Sequence, residues 1–183
     1  MRAALAQFIF ESNTFAPEAA HIDVFKKGGV VTAGNSSTLN DGAAAMVIAS
    51  QAYVDRNGLR PRARIVASAS AGVAPEIMGI GPVPASRKAL ERAGLSIADI
   101  DIAEVNEAFS SQALASLSDL GLDAGCVNID GGAIALGHPL GATGARITGK
   151  AAALLVRESG TYALSTQCIG GGQGIATVLE AVK

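Results

Sequence analysis

Two glycine-rich segments in this 183-residue chain place the strongest limits on what it can fold into. The first, GGAIALGHPLGATGAR over residues 131–146, contains His138, and the second, CIGGGQG over residues 168–174, begins with Cys168. Because glycine has no Cβ, such segments let backbone and substrate approach each other closely. A histidine in one loop and a cysteine at the head of another indicate thiol–imidazole chemistry.

Charge, hydropathy and cysteine content exclude several classes of protein. With a net charge of −2 and 16% charged residues, the chain has no basic footprint that would indicate nucleic-acid binding. The longest apolar run, residues 43–50, is too short to cross a bilayer, and the first residues predict no signal peptide. Cys126 and Cys168 are able to form a disulfide, but nothing indicates secretion, so we expect reduced thiols in the cytoplasm.

Apolar periodicity and breaker residues divide most of the chain into alternating strands and helices. Strands are predicted over residues 43–49, 64–73, 101–105, 127–129, 162–167 and 175–182. Helices are predicted over residues 50–56, 85–93, after Asn106 as a cap, and from Pro139 to Gly160. From about residue 61 onward, the order β-α-β-α-β-α-β-β predicts an α/β fold with a mixed sheet covered by helices.

Two local patterns refine these elements. Ser96 and Asp99 resemble a capping box. In the last helix the predicted buried stripe consists of Ile147, Ala151, Leu154 and Leu155. The final two strands are separated by too few residues for a crossover, so we expect an antiparallel hairpin.

Four motifs together resemble the thiolase family, which transfers acyl groups between coenzyme A thioesters. They are TAGNSSTLNDGAAA, NEAF, GGAIALGHPLGATGAR and CIGGGQG, in that order along the chain. The resemblance begins near Phe25. It implies a remnant of the N-terminal region with a coenzyme A loop over residues 25–60 and a C-terminal domain over residues 61–183. Residues 1–24 instead resemble the start of the microcystinase-type metallopeptidases and are predicted to be a foreign leader.

The resemblance also implies roles for four catalytic residues. His138 matches the histidine that activates a nucleophilic cysteine, and Cys168 the acid/base that deprotonates the acceptor acetyl group. Asn106 matches the residue that holds a water in an oxyanion hole, and Gly170 offers its N–H to an oxyanion. The alternatives are a helix-capping histidine, a buried small apolar cysteine and a plain asparagine N-cap.

The coenzyme A loop supplies the predicted substrate contacts. Ala33, Ser37 and Ala108 match positions that contact the pantetheine arm. We also predict that Ser36, the neighbour of Ser37, contributes to binding coenzyme A. Their small side chains leave a slot for a thin chain. Without the resemblance, Ser36 and Ser37 indicate no more than a turn.

The resemblance requires an acyl-accepting cysteine in an N-terminal half, and neither cysteine of these 183 residues matches it. We therefore expect an incomplete acetyl-CoA acetyltransferase-type enzyme, inactive unless a thiolase N-terminal half is supplied. The alternative is a non-catalytic coenzyme A-binding or association module. Coenzyme A thioesters are expected as substrates, with no cofactor or metal, no nucleic-acid or membrane partner, and a homo-oligomer or a partner half.

Overall fold

The computed structural model describes residues 28–182. Predictions for the leader and for Phe25 lie outside the described residues. The strands are β1 (Ala63–Gly72), β2 (Ile102–Val105), β3 (Tyr162–Ile169) and β4 (Gln173–Ala181). The helices are α1 (Gln51–Arg56), α2 (Pro82–Ala93), α3 (Ser110–Leu120), α4 (Ala133–Leu136) and α5 (Leu140–Arg157). Short 3₁₀ turns cover Ala33–Asn35, Pro75–Ile80, Ile97–Asp99 and Ala124–Cys126.

The four strands form one mixed sheet in the order β1-β4-β3-β2. Strand β4 is antiparallel to both β1 and β3, whereas β2 and β3 are parallel. The predicted mixed sheet and its terminal hairpin are therefore confirmed. The parallel pair matters for the site, because it brings the carboxyl ends of β2 and β3 to the same edge of the sheet.

Alternating residues of the sheet enter two separate apolar cores. Leu164 and Val178 pack in one cluster with Ala85, Ala89 and Leu90 of α2. Their chain neighbours, Ala163 and Leu179, pack in the other with Ala151, Leu154 and Leu155 of α5. Since successive strand residues point to opposite faces, α2 and α5 lie on opposite sides of the sheet. The predicted buried stripe of α5 is confirmed, Ile147 included.

Local signals fix several element ends as predicted. Helix α2 ends at Gly94, which adopts φ +67°, a left-handed conformation that favours glycine. Ser96 and Asp99 form the expected capping box. The Ser50 side chain caps α1 by accepting a hydrogen bond from Tyr53 N at 3.3 Å. Helix α5 begins just after Pro139 and ends at Arg157, three residues before Gly160.

The strand predicted over residues 127–129 is wrong. Only Val127 makes a single bridge, to Ala103. Asn128 has φ +47°, which breaks an extended segment, and its side chain takes the place of a strand backbone. Its Oδ1 accepts from Val105 N at 2.9 Å, and its Nδ2 donates to Val105 O at 2.8 Å. The observed order after β1 is therefore α-β-α-α-α-β-β.

The strand predicted over residues 43–49 is also wrong, because this segment forms no regular element. Its side chains are exposed, and Val47 is 96% exposed. A lone extended segment needs a neighbouring strand for its hydrogen bonds, and no described strand lies beside this one. Among residues 28–182, no helix combines the length and apolar character required to cross a membrane.

Candidate active site

The carboxyl ends of the parallel pair position two of the predicted catalytic residues. Val105, the last residue of β2, is in register with Thr166 of β3, and Asn106 N donates to Thr166 O at 2.9 Å. Cys168 follows two residues later in β3. Asn106 and Cys168 therefore lie at the same edge of the sheet, where open α/β sheets commonly bind ligands.

The side chain of Asn106 connects this edge to the glycine-rich loop. Its Nδ2 lies 3.5 Å from Nε2 of His138. Asn106 is only 1% exposed, and its Oδ1 is buried without a hydrogen-bond partner among the described residues. A buried acceptor in this state is costly unless a donor reaches it, so Oδ1 is suited to a water or a ligand.

Asn106 does not cap the following helix, which corrects one sequence-based expectation. Helix α3 begins at Ser110, with Phe109 at the N-cap position. The free amide of Ala108 is instead satisfied by Gln112, whose Oε1 accepts its hydrogen bond at 3.2 Å. Because the cap lies three residues further along, the Asn106 side chain is left to face His138.

One contact, to Thr143, holds the imidazole ring of His138 from its other side. Nδ1 lies 2.6 Å from Oγ1 of Thr143, in the first turn of α5. The same hydroxyl donates to Pro139 O at 3.0 Å. Sequence reasoning missed Thr143, although its place five residues after His138 at the start of a predicted helix was an available signal.

Burial sets the charge state of His138. Desolvation lowers the pKa of the imidazole from its usual 6.5, and the positive charge of Arg146 on α5 lowers it further. The ring is therefore neutral at pH 7 and has a lone pair on one nitrogen. A neutral imidazole beside a thiol can act as its general base.

The backbone of His138 is fixed by the predicted coenzyme A loop. His138 N donates to Thr38 O at 3.0 Å and to Oδ1 of Asn40 at 3.2 Å. Gly42 lies so close that a Cβ there would stand 2.7 Å from Cγ of Pro139. Residues 38–42 thus cover the loop that contains His138, a contact across about 100 residues that local sequence signals do not reveal.

Cys168 is a buried free thiol in β3, paired with Gly174 of β4. Burial raises the pKa of this thiol, so it is protonated at pH 7. The turn after it contains Gly170, which is exposed; apart from its chain neighbours, no atom of residues 28–182 lies within 4 Å of the position of a Cβ there. The surface of this turn at Gly170 is therefore uncrowded on the side where a Cβ would project.

The structure brings three of the four predicted substrate contacts together. Ser37 N donates to Ala108 O at 3.1 Å, and Ser36 forms a bridge with Phe109. Ser36 is buried and donates its hydroxyl proton to Thr32 O at 2.6 Å. Ala33 is exposed in the 3₁₀ turn just before them. Small side chains therefore lie directly beside the segment that follows Asn106.

Polar contacts outside the predicted set hold the glycine-rich loop in place. Glu107 accepts hydrogen bonds from Nδ2 of Asn128 at 2.7 Å and from Ile134 N at 3.1 Å. On α5, Lys150 Nζ donates to Gly131 O at 2.9 Å and pairs with the buried carboxylate of Glu104 at 3.4 Å. Within residues 28–182 no group of three or more His, Cys, Asp or Glu side chains is arranged to hold a metal ion.

Comparison with known protein families gives matches over most of the chain. The model described as "Thiolase, C-terminal domain" matches residues 59–181. The model described as "Thiolase, N-terminal domain" matches residues 10–52. The second match begins inside the segment that sequence reasoning assigned to a leader, and the domain boundaries at residues 24/25 and 60/61 stay predictions.

Individual relatives show the same resemblance. The chain is 61% identical over 160 residues to the 3-oxoadipyl-CoA/3-oxo-5,6-dehydrosuberyl-CoA thiolase of Escherichia coli (strain K12), covering 86% of this chain and 40% of that protein. It is 57% identical over 157 residues to beta-ketothiolase BktB of Cupriavidus necator, covering 86% of the chain and again 40% of the relative. The chain thus spans about 40% of the length of these curated relatives.

Solved structures agree in fold. Human mitochondrial 3-ketoacyl-CoA thiolase superposes with a TM-score of 0.85 at 53% identity, covering 87% of this chain and 40% of that one. The Bacillus anthracis acetyl-CoA acetyltransferase superposes with a TM-score of 0.86 at 46% identity, covering 93% of this chain and 44% of that one. The human protein also has a crystal structure in complex with CoA.

Proposed function

Because this chain belongs to the thiolase family, we propose that it provides part of an acetyl-CoA acetyltransferase-type site, with His138 as base and Cys168 as acid/base. The observation that carries the proposal is the contact between Asn106 and His138, at the sheet edge where Cys168 also lies. The substrates are coenzyme A thioesters, and the reaction makes or breaks a carbon–carbon bond next to the thioester.

In the thiolysis direction, His138 Nε2 accepts the proton of a nucleophilic thiol. The thiolate attacks the 3-keto carbon of the substrate, and the bond between the second and third carbons breaks. Cys168 gives its thiol proton to the departing acetyl-CoA carbon, and its raised pKa supports this acid role. The thiol of coenzyme A then attacks the acyl-enzyme, its proton passes to the Cys168 thiolate, and the bond between the acyl group and the nucleophilic cysteine breaks. The released cysteine thiolate takes back its proton from His138, and acyl-CoA leaves.

The nucleophilic thiol in this scheme comes from outside the described site. The two cysteines of the 183 residues are Cys126 and Cys168. Cys126 forms a hydrogen bond from Sγ to Asp123 O at 3.1 Å in a 3₁₀ turn, and burial raises its pKa, which disfavours the thiolate. The proposed reaction therefore needs a further thiolase segment with its own cysteine, from the same polypeptide or another.

Asn106 and Gly170 have electrostatic roles in the proposal. The buried Oδ1 of Asn106 accepts one hydrogen of a water, whose other hydrogen reaches the thioester oxygen as it becomes negative. Gly170 offers its N–H to the oxyanion of the second tetrahedral centre, in a turn that contains three consecutive glycines. Ala33, Ser36, Ser37 and Ala108 line the path of the pantetheine arm.

The proposal includes a cytoplasmic location and a role in fatty acid metabolism. The free thiols of Cys126 and Cys168 support a reducing compartment. It also includes association with a second chain, either another copy or a thiolase N-terminal half. The exposed apolar residues Met46, Val47 and Ile48 support such an association.

Complementation tests the proposed activity. The 183-residue chain and a separately expressed N-terminal half of the Escherichia coli relative are purified and mixed, and cleavage of acetoacetyl-CoA by free coenzyme A is followed. We expect no turnover from the chain alone and measurable turnover from the mixture. Cys168→Ala and His138→Ala, purified in parallel, are expected to abolish it and also control for host thiolase.

Two results would contradict the proposal. One is a stable complex of the two parts that binds coenzyme A but does not turn over. The other is a mixture in which Cys168→Ala is as active as the unmodified chain. The first result would support the alternative function, a coenzyme A-binding or association module without catalysis.

A further inference from the structure

Thr143 is placed to control which nitrogen of His138 holds the proton. Its side chain is fully buried in the first turn of α5, and Oγ1 lies 2.6 Å from Nδ1 of His138. We propose that Thr143 is a positioning residue that keeps His138 in the tautomer with its proton on Nδ1. The consequence for catalysis rests on the proposed function, whereas the tautomer itself does not.

The hydrogen-bond geometry on the Thr143 side favours this tautomer. A hydroxyl has a single hydrogen to donate. Thr143 Oγ1 donates it to Pro139 O, four residues earlier and 3.0 Å away, a bond that threonine commonly makes within helices. At 2.6 Å, Nδ1 must then be the donor and the hydroxyl the acceptor.

The contact on the opposite side of the ring agrees. The atom of Asn106 that faces Nε2 of His138 is Nδ2, which donates and does not accept. A proton on Nε2 would face this donor, whereas a lone pair on Nε2 accepts from it. The two sides of the imidazole therefore lead to the same assignment, with N–H at Nδ1 and a lone pair at Nε2.

This assignment matters because the two nitrogens face different surroundings. Nδ1 faces the buried start of α5, and Nε2 faces the sheet edge where Asn106 and Cys168 lie. Only a lone pair on Nε2 can take a proton from a thiol at that edge. In Ser-His-Asp enzymes, holding the histidine in the wrong tautomer lowers kcat about 10⁴-fold.

Three substitutions separate the hydroxyl from the shape of the side chain. Thr143→Val removes the hydroxyl and keeps the branched volume, and Thr143→Ser keeps the hydroxyl and removes the methyl group. Thr148→Val is the matched control, because Thr148 lies on the same helix and its hydroxyl bonds to Ser165 Oγ at 3.0 Å instead. It removes a hydroxyl that makes no hydrogen bond to the histidine.

The sequence makes the measurement direct, because the chain contains only two histidines, His21 and His138. Long-range ¹H–¹⁵N correlation spectra of the whole chain, labelled at histidine and kept at about pH 8, report the protonated nitrogen of each ring. His21→Gln assigns the two signals. We expect His138 to have a protonated Nδ1 and an unprotonated Nε2 in the unmodified chain, in Thr143→Ser and in Thr148→Val.

Thr143→Val is expected to shift His138 to a mixture of tautomers. The proposal is overturned if the unmodified chain has its proton on Nε2, or if Thr143→Val keeps the pure Nδ1-protonated form. If Thr143→Val does not fold, the spectra of the unmodified chain and Thr143→Ser decide. These spectra need no turnover, so a failure of complementation leaves this result standing, and the reverse also holds.

Discussion

Gly174 lies against the backbone of a neighbouring segment, and its replacement by alanine tests how tightly the hairpin and α2 pack. In the sheet it is paired with Ala71 on one side and Cys168 on the other. A Cβ on Gly174 would lie 2.7 Å from Pro82 N and closer still to the carbonyl group of Gly81. Because non-bonded heavy atoms prefer about 3.5–4.0 Å, β4 and the start of α2 would have to separate by more than 1 Å.

The magnitude follows from this displacement. Forcing one extra carbon into a packed region costs about 1–3 kcal/mol. Because backbone atoms cannot rotate away from the new methyl group, we expect the cost of Gly174→Ala to lie at the top of this range, about 3 kcal/mol. Alanine loses less conformational freedom than glycine on folding, which offsets about 0.5–1 kcal/mol. The net loss in the free energy of unfolding is about 2 kcal/mol, or about 4–8 °C in Tm for a chain of this size.

Urea unfolding followed by far-ultraviolet circular dichroism measures this loss. The matched control is Gly170→Ala, four residues earlier, where the position of a Cβ is open and the glycine is exposed. We expect the control to remain within about 0.5 kcal/mol of the unmodified chain. Equal stability of Gly174→Ala and the unmodified chain, or an equal loss in both variants, would refute the close-approach argument.

Three further predictions concern the core, the acid response and the exposed surface. Leu155→Ala, at a site 1% exposed, is expected to lower the free energy of unfolding by about 3 kcal/mol, whereas Val156→Ala, at a site 61% exposed, changes it by less than about 0.5 kcal/mol in urea titrations. Since the pKa of His138 is lowered on folding, the unfolded chain binds more protons than the folded chain below about pH 6.5, and the free energy of unfolding decreases as the pH is lowered. His138→Gln is expected to flatten this pH dependence between about pH 5 and 8, and an unchanged slope would contradict the prediction. Val47→Lys is expected to reduce self-association of the 183-residue chain in sedimentation velocity, and unchanged association would exclude this segment from the contact.

Sequence reasoning succeeded where the physical cause is local. A left-handed glycine ends α2 at Gly94, and the Ser96–Asp99 capping box forms within four residues of chain. The buried face of α5 follows from helical periodicity alone. None of these features depends on which distant segment packs nearby, so the sequence contains enough information to predict them.

The wrong strands depended on partners that sequence does not reveal. Residues 127–129 have strand-like composition, but Asn128 pairs with Val105 through its side chain and leaves the extended region. Residues 43–49 have no described strand beside them. In both cases the sequence shows the apolar composition that favours a strand, but it does not show whether a neighbouring strand is present to form the hydrogen bonds.

The candidate site also combines features with local causes and features that depend on distant segments. The motifs identified His138, Asn106 and Cys168 as a set, but their roles came from the family resemblance and not from a local pattern. The contacts of His138 with Thr38 and Asn40 cross about 100 residues, and only the folded chain brings them together. Thr143 lies within reach of local reasoning, since a hydroxyl in the first turn of a helix can reach a side chain two residues before that helix.

Burial is the largest cause of the pKa shifts of both titratable groups in the proposed site, and it moves the two pKa values in opposite directions. Burial lowers the pKa of His138 and raises the pKa of Cys168, so that at pH 7 the imidazole is neutral and the thiol is protonated. Burial favours the uncharged form of each group, which makes one a proton acceptor and the other a proton donor. Thiolysis as proposed needs both at the start, a base for the attacking thiol and an acid for the departing carbon. A site of this kind requires no ion pair to set its resting protonation, because partial burial of the imidazole and full burial of the thiol are sufficient.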